Sequence, residues 1–200
     1  MSFKTKKYQV IRQALSKELS SFIFNYMILQ RDAVDWMMKN NKVNSDNPLI
    51  GLRTDLQIPG CYSKYADWVM ETLLMYMIPI MKQRTGLELI PTCSYTRLYE
   101  KGNTLHRHKD RASCEVSTTL HLGGDEWPIF IDSKGVKIDL KAGDMLIYAG
   151  CELEHWREPF EGTVCLQVFL HYNHAKSPFA KTNLLDGRPI PGIPKYESIK

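Results

Sequence analysis

The spacing of the apolar residues changes near Pro91, and that change constrains the fold of these 200 residues more than any other feature. Before it, Leu15, Leu19, Phe22, Ile23, Tyr26 and Met27 recur at helical spacing, which predicts one or two helices over residues 8–40. Residues 40–59 are polar and carry Pro48, Gly51 and Pro59, the composition of a loop. A second helix is expected to start after Ser63, a suitable N-cap, and to end near Gly86, with Ala66, Val69, Leu73 and Met77 along one face. Pro79 should kink or shorten its last turns. Beyond Pro91 the pattern is that of strands, expected at residues 92–99, 115–122, 127–131, 136–140, 145–148 and 163–172. Pro128 suits a strand start or an edge. Glycine-bearing turns at 123–125, 133–135 and 142–144 punctuate them. Many short strands with regular turns predict a sandwich or jelly roll, mostly β, with the N-terminal helices packed on one sheet in an α+β arrangement. The expected division is a helical buttress over 1–90 within the same domain, a β core over 91–174, and an irregular tail over 175–200 that carries Pro178, Pro189, Pro191 and Pro194.

Bulk properties narrow the function classes. The length suits one domain, and 44% hydrophobic with 24% charged residues is ordinary globular composition. The net charge of +4 comes partly from Lys4, Lys6, Lys7, Lys195 and Lys200 near the ends, read as solvated tails. No basic stripe with interleaved aromatics occurs, so a nucleic-acid partner is not expected. The longest apolar stretch, residues 73–81, is too short to span a bilayer, and no membrane association is expected. No apolar run follows the first lysines directly, so a secretory signal is not expected. Five cysteines, Cys61, Cys93, Cys114, Cys151 and Cys165, form no CxxC and no even set, which argues against a disulfide framework and a structural zinc site. A reducing, cytoplasmic setting is the expectation.

The residues that carry chemistry are His108 and Asp110, answered far along the chain by His155. Residues two apart at a strand end point the same way, so His108 and Asp110 can converge on one ion. Two imidazoles and one carboxylate can hold one face of an octahedral iron and leave three positions for a bidentate co-substrate and oxygen. The spacing needs a third ligand from a strand distant in sequence and adjacent in space. Alone, a His-x-Asp pair is weak, but here it follows a strand that ends at Tyr99 and a turn at Gly102. The distal His155 follows the turn and strand of 143–148.

With those motifs in place, the chain resembles the Fe(II)/2-oxoglutarate-dependent oxygenases of the prolyl 4-hydroxylase-like group. More narrowly, it is similar to uncharacterised members from marine bacteriophages. The strings at 91–99, 108–115, 143–148, 155–162 and 167–172 carry the resemblance, with residues 65–74 and 186–189 in support. The resemblance implies a double-stranded β-helix in which His108, Asp110 and His155 bind Fe(II) and carry catalysis. It further implies that 2-oxoglutarate is decarboxylated to succinate and CO2 while O2 hydroxylates a C–H bond of a substrate, prolyl or peptidyl or a small molecule. Ascorbate is a further reductant the family suggests.

In the prolyl hydroxylase branch a Lys or Arg on the core strand after the distal His pairs with the 2-oxoglutarate C5 carboxylate. Here 162–167 holds no cation. A dianion in a dry pocket needs compensating charge. Arg157, two residues after His155, is the first candidate and Arg97 the second, with Tyr99, Thr119 and His121 as hydrogen-bonding neighbours. Arg111 and Glu115 line the substrate entrance or pair with each other. His106 shares the face of His108 but is a poor fourth ligand, because the open positions are needed for chemistry. His171 and Gln167 are read as inward polar neighbours, Trp127 and Trp156 as packing or substrate shelf, and Cys114, Cys151 and Cys165 as small core side chains. Two other readings stand beside the oxygenase. One is a cupin-like metalloprotein using His106, His108 and His155; the other is a non-catalytic jelly-roll binding module. The prime substrate and the oligomeric state are not legible.

Overall fold

The computed structural model describes residues 3–44 and 47–194. Ten strands form two antiparallel sheets. In chain order they are β1 (Tyr8–Ile11), β2 (Tyr62–Tyr65), β3 (Leu89–Glu100), β4 (Leu105–His108), β5 (Val116–Gly124), β6 (Ile129–Ile131), β7 (Val136–Ile138), β8 (Met145–Tyr148), β9 (His155–Arg157) and β10 (Val164–His174). The major sheet runs β1-β8-β5-β10-β3-β2 and the minor sheet β4-β9-β6-β7. This is the expected jelly roll. Helices α1 (Phe3–Lys6), α2 (Lys17–Lys39), α3 (Trp68–Thr85) and α4 (Ala180–Asn183) and two 3₁₀ turns, Ala112–Cys114 and Leu184–Gly187, complete the described elements.

Strand alternation separates two environments. On β10, Leu166, Val168, Leu170 and Tyr172 face the helices and join Ile23, Met27 and Val34 of α2 and Met70, Leu74, Met77 and Met81 of α3 in one core. The alternate residues on β3, β5 and β10 face the minor sheet, where Tyr99, Leu105, Trp127, Phe160, Cys165 and Phe169 form a second cluster. The functional side chains lie on this inner face.

Several local expectations are corrected. Residues 8–11 form a strand, not the start of a helix. They pair with β8, Tyr8 opposite Tyr148 and Ile11 opposite Met145. Ser63 does not cap α3. It lies in β2 opposite Arg97, and after a left-handed turn at Ala66 the cap is Asp67, which accepts from the Val69 and Met70 N–H groups. α3 ends at the left-handed C-cap Gly86, as expected, and Pro79 does not shorten it. The buried face of Leu73, Leu74, Met77 and Met81 holds the helix across the missing N–H, an interior cost of about 3 kcal/mol. After His174 the chain lies over the core and carries short elements of its own. A short α4 is followed by a 3₁₀ turn over Leu184–Gly187, and Asp186 and Arg188 are buried. Arg188 reaches Glu71 at 2.9 Å, both side chains almost fully buried. Residues 195–200, with Lys195 and Lys200, lie outside the described residues. Among the described residues no helix is long and apolar enough to cross a membrane.

Candidate metal and co-substrate site

His108 ends β4, Asp110 follows it, and His155 opens β9, the neighbouring strand, directly opposite His108. Asp110 Oδ1 lies 3.7 Å from His108 Nε2 and 3.5 Å from His155 Nε2, and the two imidazole centroids are 4.2 Å apart. The three donor atoms lie within 4.8 Å of one another, and among the described residues no other group of His, Cys, Asp and Glu gathers in this way.

The surroundings orient the donors. Each ring turns its Nδ1 to a backbone carbonyl, His108 to His106 at 2.8 Å and His155 to Leu153 at 3.1 Å. That contact keeps the proton on Nδ1 and leaves an Nε2 lone pair for a metal. Asp110 Oδ2 accepts from Ser117 Oγ at 2.6 Å, and the Asp110 N–H donates to the Gly150 carbonyl at 2.9 Å. Gly150 is required by space. A Cβ there would meet Asp110 Oδ2 at 2.3 Å and Ser117 Oγ at 2.6 Å. Burial alone would raise the Asp110 pKa, but His155, His171 and the Ser117 hydroxyl outweigh it and hold the carboxylate well below its usual range. Burial and the neighbouring His155 lower His108. Both shifts favour a deprotonated donor set.

Arg157 lies two residues beyond His155 on β9, fully buried. Its guanidinium donates to the Trp127 carbonyl and to Thr119 Oγ1, the latter at 3.2 Å, and sits 5.1 Å from the centroid of the Trp127 ring. Its Nε has no hydrogen-bond partner among the described residues, nor does the nearby buried Tyr99 hydroxyl. Among the described residues no carboxylate pairs with it, and burial lowers its pKa. A buried, unpaired guanidinium is costly, so an orphan of this kind marks a place for an anion.

Arg97 faces inward as expected but is already neutralised. It donates to Asp55 through Nε at 2.7 Å and Nη2 at 3.2 Å, and to Gln57 at 2.7 Å. Thr119 bridges Arg157 to Gln167, and Gln167 Nε2 donates to His121 Nδ1 at 3.0 Å. Burial pushes the His121 imidazole down to about 4, so it is neutral at pH 7. A cavity of about 380 Å³ opens beside the triad, with Tyr95, Arg97, Leu105, Lys109, Arg111 and Phe169 among its walls.

Other expectations resolve plainly. Arg111 and Glu115 do not pair; Arg111 bonds Asp186 at 2.8 Å, and Glu115 accepts from Asn173 and the His174 N–H. His106 is exposed and gives the centre only its carbonyl. Trp127 is core, packed against Tyr99 and Phe160, while Trp156 stacks on Phe130 near the surface. Cys151 is half-buried rather than core. Sequence reasoning missed Ser117, Gly150, Asp55 and Gln57. Ser117 was within reach, since the inward period of β5 that includes Thr119 and His121 also includes it. Nothing in the sequence marked the other three.

The donor set fits an iron ion and the orphaned guanidinium an anion, with Arg157 lying behind the walls of the cavity itself. No protein-family model and no curated protein matches the chain. Solved structures do match. Prolyl-4-hydroxylase from Pseudomonas putida superposes with a TM-score of 0.59 at 18% identity, over 86% of this chain and 95% of its own. Viral collagen prolyl hydroxylase from Paramecium Bursaria Chlorella virus-1, in complex with 2-oxoglutarate, gives 0.58 at 12% identity over 84% and 97%. HygX from Streptomyces hygroscopicus, with nickel and 2-oxoglutarate bound, gives 0.61 at 12% identity over 87% and 85%. The structural neighbours of this chain are prolyl-4-hydroxylase and other 2-oxoglutarate–Fe(II) oxygenases, and it has their jelly-roll fold.

Proposed function

We propose that the chain is an Fe(II)- and 2-oxoglutarate-dependent dioxygenase that hydroxylates a C–H bond. One observation carries the reading. A two-His-one-Asp donor set gathers where β4 meets β9, and the strand that carries His155 also carries Arg157, buried and without an anionic partner among the described residues.

In this reading His108 Nε2, Asp110 Oδ1 and His155 Nε2 hold the iron. Arg157 receives the distal carboxylate of 2-oxoglutarate, with the Tyr99 hydroxyl and Thr119 beside it. Bound iron, 2-oxoglutarate and O2 supply the oxidising chemistry, with succinate and CO2 as co-products. The chain's task is to orient and to exclude. Ser117 fixes one Asp110 oxygen so that the other faces the metal. His121, neutral, anchors Gln167, which positions Thr119 against Arg157. Arg97 keeps its Asp55 partner and shapes the cavity wall instead of binding the co-substrate. Residues 91–174 form the catalytic core and 1–90 its buttress.

Iron-loaded protein incubated with 2-oxoglutarate in air should form succinate, and Asp110→Ala should abolish it. Folded, iron-loaded wild type that forms none contradicts the proposal and favours a jelly-roll binding module.

A further inference from the structure

Helix α2 has two apolar faces and the sheet covers only one. Ser20, Ile23, Met27 and Val34 are buried. A second line runs along the exposed side, where Leu19 is 42% exposed, Phe22 68%, Leu29 70% and Trp36 60%. Tyr26, half-buried, and Ala33, exposed, fill the gaps. Leu19, Tyr26 and Ala33 are spaced by seven, as are Phe22, Leu29 and Trp36, and the two sets are offset by three. That is the a/d pattern of a helix seam, sustained over about 26 Å of helix. A line of exposed large side chains of this extent is uncommon on a monomer.

We infer that α2 pairs antiparallel with α2 of a second copy of this chain, as a two-fold dimer. The flanking charges select that occupant and its direction. Antiparallel seams pack a residues against d residues of the partner, which here gives the layers Leu19 on Trp36, Tyr26 on Leu29 and Ala33 on Phe22, each occurring twice by symmetry. The positions that flank the seam on its exposed side are Glu18, Asn25, Asp32 and Lys39. In that register Glu18 of one copy faces Lys39 of the other at both ends, and Asn25 faces Asp32 as a neutral hydrogen-bonding pair. A parallel pair would instead set these flanking residues against the partner's Ile23, Gln30 and Met37, on the side that packs on the partner's own body, and would form neither ion pair. Every layer and both ion pairs are therefore satisfied by this chain alone.

Sedimentation equilibrium over a concentration series, on the full chain, tests the inference. Wild type should dimerise. Leu29→Glu should weaken the dimer about 30-fold or more, as a central interface residue does. Glu18→Lys and Lys39→Glu should each weaken it about tenfold by opposing like charges, and the double variant should regain wild-type affinity. All three positions are exposed and far from the candidate site, so each variant should fold and form succinate at wild-type rates; melts should fall only slightly, because Glu18 and Lys39 lie in the first and last turns of α2 and the dimer itself adds stability. Wild type that stays monomeric, a dimer that survives Leu29→Glu, or a double charge variant as weak as the singles would each overturn it.

Discussion

Two arginines face the same interior and do different work because their neighbours differ. Arg97 is balanced by Asp55, both side chains nearly buried, so Arg97→Met should leave an uncompensated carboxylate and cost about 3–5 kcal/mol in denaturant unfolding. Arg157 has no such partner. Arg157→Met should leave the apo fold as stable as wild type or slightly more so, and weaken 2-oxoglutarate binding by about 10- to 100-fold, the worth of a charge-assisted hydrogen-bonding pair. Calorimetric titration of 2-oxoglutarate into iron-loaded protein, read beside the unfolding curves, checks both. Equal co-substrate affinity in wild type and Arg157→Met would remove Arg157 from its proposed role. The sequence placed both arginines inward by their two-residue offsets from His155 and Tyr99. It could not separate them, because Asp55 and Gln57 come from a loop with no hydrophobic period to place it.

At the scale of elements, the site depends on loops that approach one another closely. The turn between β8 and β9 brings the Gly150 backbone against Asp110 and Ser117. Gly150→Ala should therefore displace the carboxylate and reduce iron affinity about 10- to 100-fold, the usual effect of disturbing groups behind a metal ligand. Competition with a metal-sensing chelator measures it, and unchanged affinity would mean that the loop yields. The long strands β3, β5 and β10 were legible from alternation, and β8 was legible to the residue. Four strands of three or four residues, β1, β2, β4 and β9, were not, because so short a run establishes no period; β6, β7 and β8 are as short but are marked by the glycine-bearing turns between them. That loss matters here, since β4 and β9 present both histidines. Their positions followed only from the spacing of His108, Asp110 and His155. Helix α3 was placed four residues early because Ser63 and Asp67 are both acceptable caps, and pairing with β3 claims Ser63.

Across the whole molecule, the interior is built around imidazoles kept neutral. Burial lowers His121 and His171 to about 4 from 6.5. Between those values the unfolded chain binds protons that the folded chain refuses, so stability falls as pH falls from about 6.5 to 4. Each contributes a loss of up to about 3 kcal/mol at the lower end. Urea unfolding of metal-free protein at pH 7 and pH 4.5 should show the drop, and a flat profile would contradict the burial of these rings. The same interior separates the sheet-and-helix core, which the sequence made legible as two alternating faces, from the catalytic face, whose pairings come from residues far apart in the chain. The central claim is that the triad and Arg157 form one iron and keto-acid site. The most direct test is anaerobic addition of Fe(II) and 2-oxoglutarate to wild type and His108→Ala, following the visible metal-to-ligand charge-transfer band. A band in wild type that is lost in the variant is the predicted result; its absence in well-folded wild type would contradict the assignment.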